Sequence, residues 1–194
     1  MAVNVGIYIY DDAEVLDFAG PYEVFAVASR LCAEGEKISV SLIGATGQTV
    51  RARNGFQVVP EHCIDDHPRL DVLIVPGGIH LAEMEKPGVI DWIRSVSADA
   101  KIVASVCTGA FLLAEAGLLD GLSVTTHLED IADLRASYPA LEVRENVRWL
   151  RSGRVATSAG ISAGIDMSLA LVSDLFGEGL AASTARQMEY DPVR

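Results

Sequence analysis

The segment from Lys101 to Gly109 restricts the folds open to this chain more than any other. An apolar, β-branched run, Lys101 to Val106 (KIVASV), stops at Cys107 and passes through Thr108 and Gly109 into a helical stretch, Ala110 to Ala116 (AFLLAEA). A strand that turns directly into a helix through small residues points the residue at the bend out of the sheet edge and aims the helix's free N–H groups at it. Cys107 occupies that bend and is the candidate nucleophile. The partial positive charge of the helix N-terminus is expected to favour its thiolate. A cysteine in an ordinary core strand is a small buried apolar group; the elbow setting favours the reactive reading.

Around this elbow, apolar strand-like runs alternate with helical periodicity, which predicts an α/β fold with a mostly parallel sheet covered on both faces. Val3 to Tyr10 reads as the first strand. A helix is expected from Pro21, a residue suited to the first helical position, to about Ala33. Lys37 to Ile43 and the buried run Asp71 to Val75 follow as strands, the latter ending in Pro76-Gly77-Gly78. A helix is expected near Gly88 to Ser97, a short strand over Ser123 to Thr126 and a helix over His127 to Ser137. Asn146 to Leu150 and Val155 to Ser158 read as a hairpin, and helices over Ser162 to Phe176 and Gly179 to Tyr190 complete the pattern. With 194 residues, half of them hydrophobic, and no linker or repeat, one domain spanning 1–194 is expected.

Charge and cysteine content exclude several classes of function. Fifteen basic against 27 acidic residues give a formal charge of −12, which repels nucleic-acid phosphates and anionic lipid alike. No apolar run approaches the roughly 20 residues needed to cross a bilayer, and the N-terminal MAVNVGIYIYDD starts as a strand rather than an export leader. Cys32, Cys63 and Cys107 cannot all pair and show no CxxC spacing, so a reduced, cytoplasmic setting without a zinc site is expected.

In open sheets of this kind, sites form beyond the carboxyl ends of the strands. Three loops there carry chemistry and are expected to meet: Val15 to Pro21, Pro76 to Gly78, and the Cys107 elbow. Asp17, flanked by Val15, Leu16, Phe18 and Ala19, is poorly placed for solvent; desolvation would raise its pKa and make it a candidate general acid or base. The alternative is a helix-capping Asp, but a helix starting at Pro21 leaves Asp17 too far upstream. Pro76-Gly77-Gly78 is either a tight turn or, with the Thr108 N–H, a set of backbone donors for developing negative charge. His80 and His127 have no local context that selects either as a base for the thiol. Phe18 and Tyr22 are read as core rather than pocket lining, and Cys32 and Cys63 as ordinary packing or surface positions.

The combination LDFAGPYEVF (Leu16 to Phe25), PGG (Pro76 to Gly78), SVCTGAFLLAEAGLLDG (Ser105 to Gly121), TTH (Thr125 to His127) and SAGISAGIDM (Ser158 to Met167) resembles the ThiJ/PfpI superfamily, and within it the isocyanide hydratase-like branch. The motifs stand in the expected order and cover almost the whole chain. The resemblance implies a flavodoxin-like three-layer sandwich, related to class I glutamine amidotransferase domains, that forms a homodimer. It assigns Cys107 as nucleophile, Asp17 as the carboxylate bonded to it, Thr108 as the residue after the nucleophile and Gly78 as the glycine facing the sulfur. The protease-like branch has His where this chain has Thr108, and the deglycase and glyoxalase branches have Glu where this chain has Asp17.

The activity so implied is hydration of an organic isocyanide to an N-substituted formamide through a covalent thioimidate, with a small-molecule substrate and without metal or organic cofactor. A glyoxalase-type lyase acting on reactive carbonyls and a non-catalytic, redox- or ligand-sensing module are the rivals. Similar LDxxGP and SVCTGA motifs occur in the sensor half of AraC-type regulators, but the chain's length and its acidity make a DNA-binding regulator the less expected reading.

Overall fold

The computed structural model describes residues 2–193; Met1 and Arg194, the ends of the expected 1–194 domain, lie outside the described residues. The chain opens with β1 (Ala2–Ile9), α1 (Val15–Leu31) and β2 (Lys37–Gly44). Two short strands, β3 (Val50–Ala52) and β4 (Phe56–Val58), make a separate hairpin ahead of β5 (His62–Cys63) and β6 (Val72–Val75). Next come α2 (Leu81–Met84), α3 (Pro87–Asp99), β7 (Ile102–Val106) and α4 (Gly109–Glu115). The chain continues through β8 (Ser123–Val124), α5 (Ile131–Ser137), β9 (Glu142–Val143), β10 (Trp149–Ser152), β11 (Val155–Ser158), α6 (Ala163–Phe176) and α7 (Glu178–Gln187).

Seven strands form the main sheet in the order β10-β11-β7-β6-β1-β2-β5. All neighbours run parallel except β10, which folds back on β11 as the expected hairpin. The two central strands β6 and β7 are buried along their whole length, and this is why Val72–Val75 and Ile102–Val106 read as unbroken rather than alternating apolar runs. Helices α1, α6 and α7 pack on one another, while α2, α3 and α4 form a second group, so the sheet is flanked by helices. Each fully buried Ile or Leu between these layers, such as Ile7, Ile74 or Leu113, stabilises the fold by about 1.5–3 kcal/mol.

Two boundaries differ from the sequence reading in ways that matter for the site. Helix α1 begins at Val15, six residues before Pro21, so the proline stands inside the helix. A proline there has no N–H to offer the carbonyl four residues back, which is that of Asp17. The expected helix His127–Ser137 is a 3₁₀ turn, Leu128–Asp130, followed by α5. Strands β3, β4, β5 and β9 and helix α2 lie outside the sequence expectation; each spans four residues or fewer and carries too little periodicity to read.

The parallel register aligns the carboxyl ends of the strands. Val75 lies opposite Ser105, and Val106 opposite Ser158. The segments that leave β1, β6, β7 and β11 therefore emerge side by side, three of them being the loops expected to meet.

Candidate active site

At the end of β7 the chain turns through Cys107, which adopts a left-handed backbone conformation (φ 54°). Its N–H is held by the carbonyls of Ser158 and Ala159, at 3.2 and 3.3 Å, and its carbonyl accepts a hydrogen bond from Thr126 Oγ1 at 2.9 Å. The next turn fits only because residue 109 is glycine: a Cβ there would stand 2.1 Å from the Val75 carbonyl oxygen. The elbow is thus clamped from both sides, and Cys107 is buried, with 6% of its surface exposed.

Asp17 sits in the first turn of α1, fully buried. It does not cap its own helix; its Oδ2 accepts the Gly77 N–H at 2.9 Å. The carboxyl also lies against the Cys107 thiol and the Ile161 N–H, although Oδ1 makes no well-aligned hydrogen bond. Asp17, the Pro76–Gly78 loop and the elbow are therefore brought together as the sequence predicts.

The two glycines of that loop do different work from the expected one. The Gly77 N–H is used by Asp17. The Gly78 N–H is used by Thr108, donating to Oγ1 at 2.9 Å, while the Thr108 hydroxyl donates back to the Gly78 carbonyl at 3.0 Å. Neither amide of the pair is left over for a reacting atom, which corrects the expectation that Gly78 supplies an anion-binding N–H. Close approach explains both glycines: a Cβ on Gly77 would lie 2.5 Å from the Thr108 nitrogen and 2.9 Å from Asp17 Oδ2, and one on Gly78 would lie 2.3 Å from the Asp12 carbonyl oxygen.

The backbone N–H groups that favour charge on the sulfur are those of Thr108 and Ile161. Ile161 follows β11 and has φ 52°, a conformation that a β-branched residue adopts only when its surroundings impose it. The sequence reading missed it. Its signal was the GIS segment (Gly160 to Ser162) just after the strand adjoining the elbow, where Gly160 must be small because a Cβ would meet the His127 ring at 2.1 Å.

Electrostatically, burial dominates both members of the pair. Burial is the main cause that raises the Asp17 pKa, to about 7, against the opposing hydrogen bonds from Gly77, Cys107 and Ile161. Burial likewise pushes the Cys107 thiol up to about 12, assisted by the Asp17 charge and opposed by the Thr108 and Ile161 amides. The expectation that the helix N-terminus favours the thiolate is thus corrected: desolvation outweighs it, and α4 is only seven residues long. Two acids in contact titrate as a pair, holding one negative charge between them more readily than two.

Neither histidine makes a hydrogen bond to the thiol among the described residues. His80 stacks on Phe111, centroids 4.4 Å apart, and burial lowers its pKa. His127 Nδ1 accepts the Glu129 N–H at 3.3 Å and faces Asp130 Oδ2 at 3.3 Å. Both nonetheless line, with Glu14, Arg53 and Ile79, an open hollow of about 400 Å³ whose wall includes Cys107 and Thr108. Phe18 is core, and Tyr22 is half-buried against it; Cys32 and Cys63 are half-buried free thiols. No group of three or more metal-capable side chains occurs among the described residues. No helix there is long and apolar enough to cross a membrane.

The model of the DJ-1/PfpI family matches residues 3–174. This chain belongs to that family. An isonitrile hydratase of Pseudomonas putida is 37% identical over the full chain and 81% of its own length. The transcriptional regulator CdhR of Pseudomonas aeruginosa is 32% identical over 93% of this chain, which spans about half (53%) of that regulator. A ThiJ/PfpI family protein from Pseudomonas syringae has the same fold, with a TM-score of 0.88 at 27% identity over all of this chain and 77% of that one. The flavodoxin-like α/β architecture of the family and the likeness to an isonitrile hydratase therefore agree with the sequence reading.

Proposed function

We propose that this DJ-1/PfpI protein hydrates an organic isocyanide to an N-substituted formamide, with Cys107 as nucleophile and Asp17 as proton carrier. One observation carries the reading: a fully buried carboxyl, pushed up to about 7 by that burial, rests against a buried thiol in the wall of an open hollow. The likeness to an isonitrile hydratase supports it.

The terminal carbon of an isocyanide accepts a nucleophile and then needs a proton on the same atom. Sγ of Cys107 attacks that carbon while its proton passes to Asp17; the carboxyl then delivers this proton to the carbon, leaving Cys107–S–CH=N–R. A thiol that is protonated at rest suits this sequence, since the proton it loses is the one the carbon gains. Water then adds across the C=N bond, with Asp17 taking its proton as general base and the nitrogen gaining one. Collapse of the tetrahedral adduct breaks the C–S bond as the hydroxyl proton passes to Asp17; the carboxyl hands that proton to the departing Cys107 sulfur, and HC(=O)NH–R is released. The amides of Thr108 and Ile161 bear on the sulfur when it carries charge.

The test is isocyanide consumption and formamide appearance, followed by NMR, for wild type, Cys107→Ala and Asp17→Asn, with methylglyoxal assayed in parallel. Turnover of isocyanide that both substitutions abolish supports the reading. Consumption of methylglyoxal alone assigns a glyoxalase-type lyase instead. Inertness toward both favours a ligand-binding module, as the family's regulator relatives would suggest.

A further inference from the structure

Beside the hollow at Cys107 lies a second one, of about 360 Å³, and the two share His80, Leu81 and Asp130 as a common wall. The second is furnished for apolar matter by Met84, Phe111, Ala136 and Tyr138. Phe111, in the first turn of α4 and four residues after Cys107, belongs to the lining of the second hollow, so the helix that leaves the elbow runs on into that hollow's wall. His80 and Tyr138 both lean on the Phe111 ring, at centroid distances of 4.4 and 6.4 Å. Asp130 and Asp133 edge the hollow and disfavour an anion there.

We propose that this second hollow receives the substituent of the electrophile that reacts at Cys107, and that the substituent is an uncharged aromatic or alkyl group of about benzyl size. The identity of the reacting group rests on the isocyanide reading; the second hollow does not. A molecule whose reactive carbon meets the sulfur extends its tail across the His80–Leu81 ridge onto Phe111. Aromatic faces from His80, Phe111 and Tyr138 then replace water around it.

The hollow can be filled without touching the core. Ala136 is exposed on α5, and Ala136→Trp places an indole where the tail would lie. Benzyl isocyanide should exceed methyl isocyanide in kcat/KM about tenfold in wild type, the worth of partly burying a phenyl ring. In Ala136→Trp that ratio falls to about one, mainly through KM, while Ala136→Ser keeps it. 4-Carboxybenzyl isocyanide should show no advantage. An unchanged benzyl-to-methyl ratio in Ala136→Trp overturns the proposal, as does a wild-type ratio near one.

A separate readout applies when no isocyanide is consumed, an outcome that removes the isocyanide reading alone. Alkylation of Cys107 by N-benzyliodoacetamide and by iodoacetamide is then compared by intact mass, each rate normalised to that of free cysteine. A preference of about tenfold for the benzyl reagent, lost in Ala136→Trp, upholds the second hollow. Equal normalised rates in wild type reject it.

Discussion

Thr108 and Gly78 are hydrogen-bonded to each other twice: the Gly78 N–H donates to Thr108 Oγ1 at 2.9 Å and the Thr108 hydroxyl donates to the Gly78 carbonyl at 3.0 Å. One hydroxyl thereby satisfies both polar groups of a glycine and ties the Pro76–Gly78 loop to the elbow. Thr108→Val keeps the shape and removes both bonds, leaving the Gly78 amide without that acceptor in a half-buried place and its carbonyl with only His80 Nδ1, at 3.4 Å. A loss of about 1–3 kcal/mol is expected in urea denaturation, whereas Thr108→Ser should cost little. Equal stability of the Val and Ser variants would show that the double bond contributes nothing.

Asp17→Asn should separate two reactivities of Cys107. Isocyanide hydration, which needs a proton carrier, is expected to fall about 10²–10⁴-fold. Alkylation of the thiol by iodoacetamide at pH 8 should instead speed up, because the Asp17 charge is one of the causes that hold the thiol toward 12. In wild type the alkylation rate should climb with pH through 9 without a plateau. If alkylation slows along with hydration, the carboxyl serves the thiol in some other way.

Stability should depend on pH through the same residue. Asp17 has a folded pKa near 7 against an ordinary 3.8, so between these values the folded chain retains a proton that the unfolded chain has lost. Stability from this group is therefore full at low pH and declines as pH rises through that window, by about 4 kcal/mol at full extent. Thermal denaturation at pH 5 and pH 8 should show Asp17→Asn gaining on wild type at the higher pH. Parallel Tm shifts in the two proteins would contradict this.

Asp166, in the first turn of α6, gathers partners from three directions. Arg148 Nε reaches its Oδ2 at 2.8 Å, with a second guanidinium contact, while Tyr190 OH and the Val193 N–H reach its Oδ1 at 3.1 and 3.0 Å. The carboxylate is buried and Arg148 about one-third exposed. Asp166→Ala should cost about 2–4 kcal/mol, at the low side of a buried pair because water reaches the guanidinium. The double variant with Arg148→Ala should cost less than the sum of the singles. Additive costs in denaturation would mean that the pair is not coupled.

Much of the architecture was legible because its signals are composition along a line. The runs Val72–Val75 and Ile102–Val106 are apolar on both sides since helices cover both faces, and they read as central parallel strands. Asp17 stood out for a similar reason, as a charge among Val15, Leu16, Phe18 and Ala19. What escaped notice acts through backbone or across long separations. Any residue has an N–H, so nothing in the side chain of Ile161 announces its amide, and its left-handed φ runs against what a β-branched residue suggests. The capture of the Gly78 amide by Thr108 spans 30 positions. Pro21 misled about where α1 starts, because the rule that places proline at a helix entrance is a preference, and an interior proline deletes only one bond.

The Ile161 amide lowers the pKa of both the Cys107 thiol and the Asp17 carboxyl. One fixed dipole therefore favours a negative charge on either atom. In the proposed hydration, where a proton crosses from one to the other, the same peptide group would serve both ends of the crossing without having to turn.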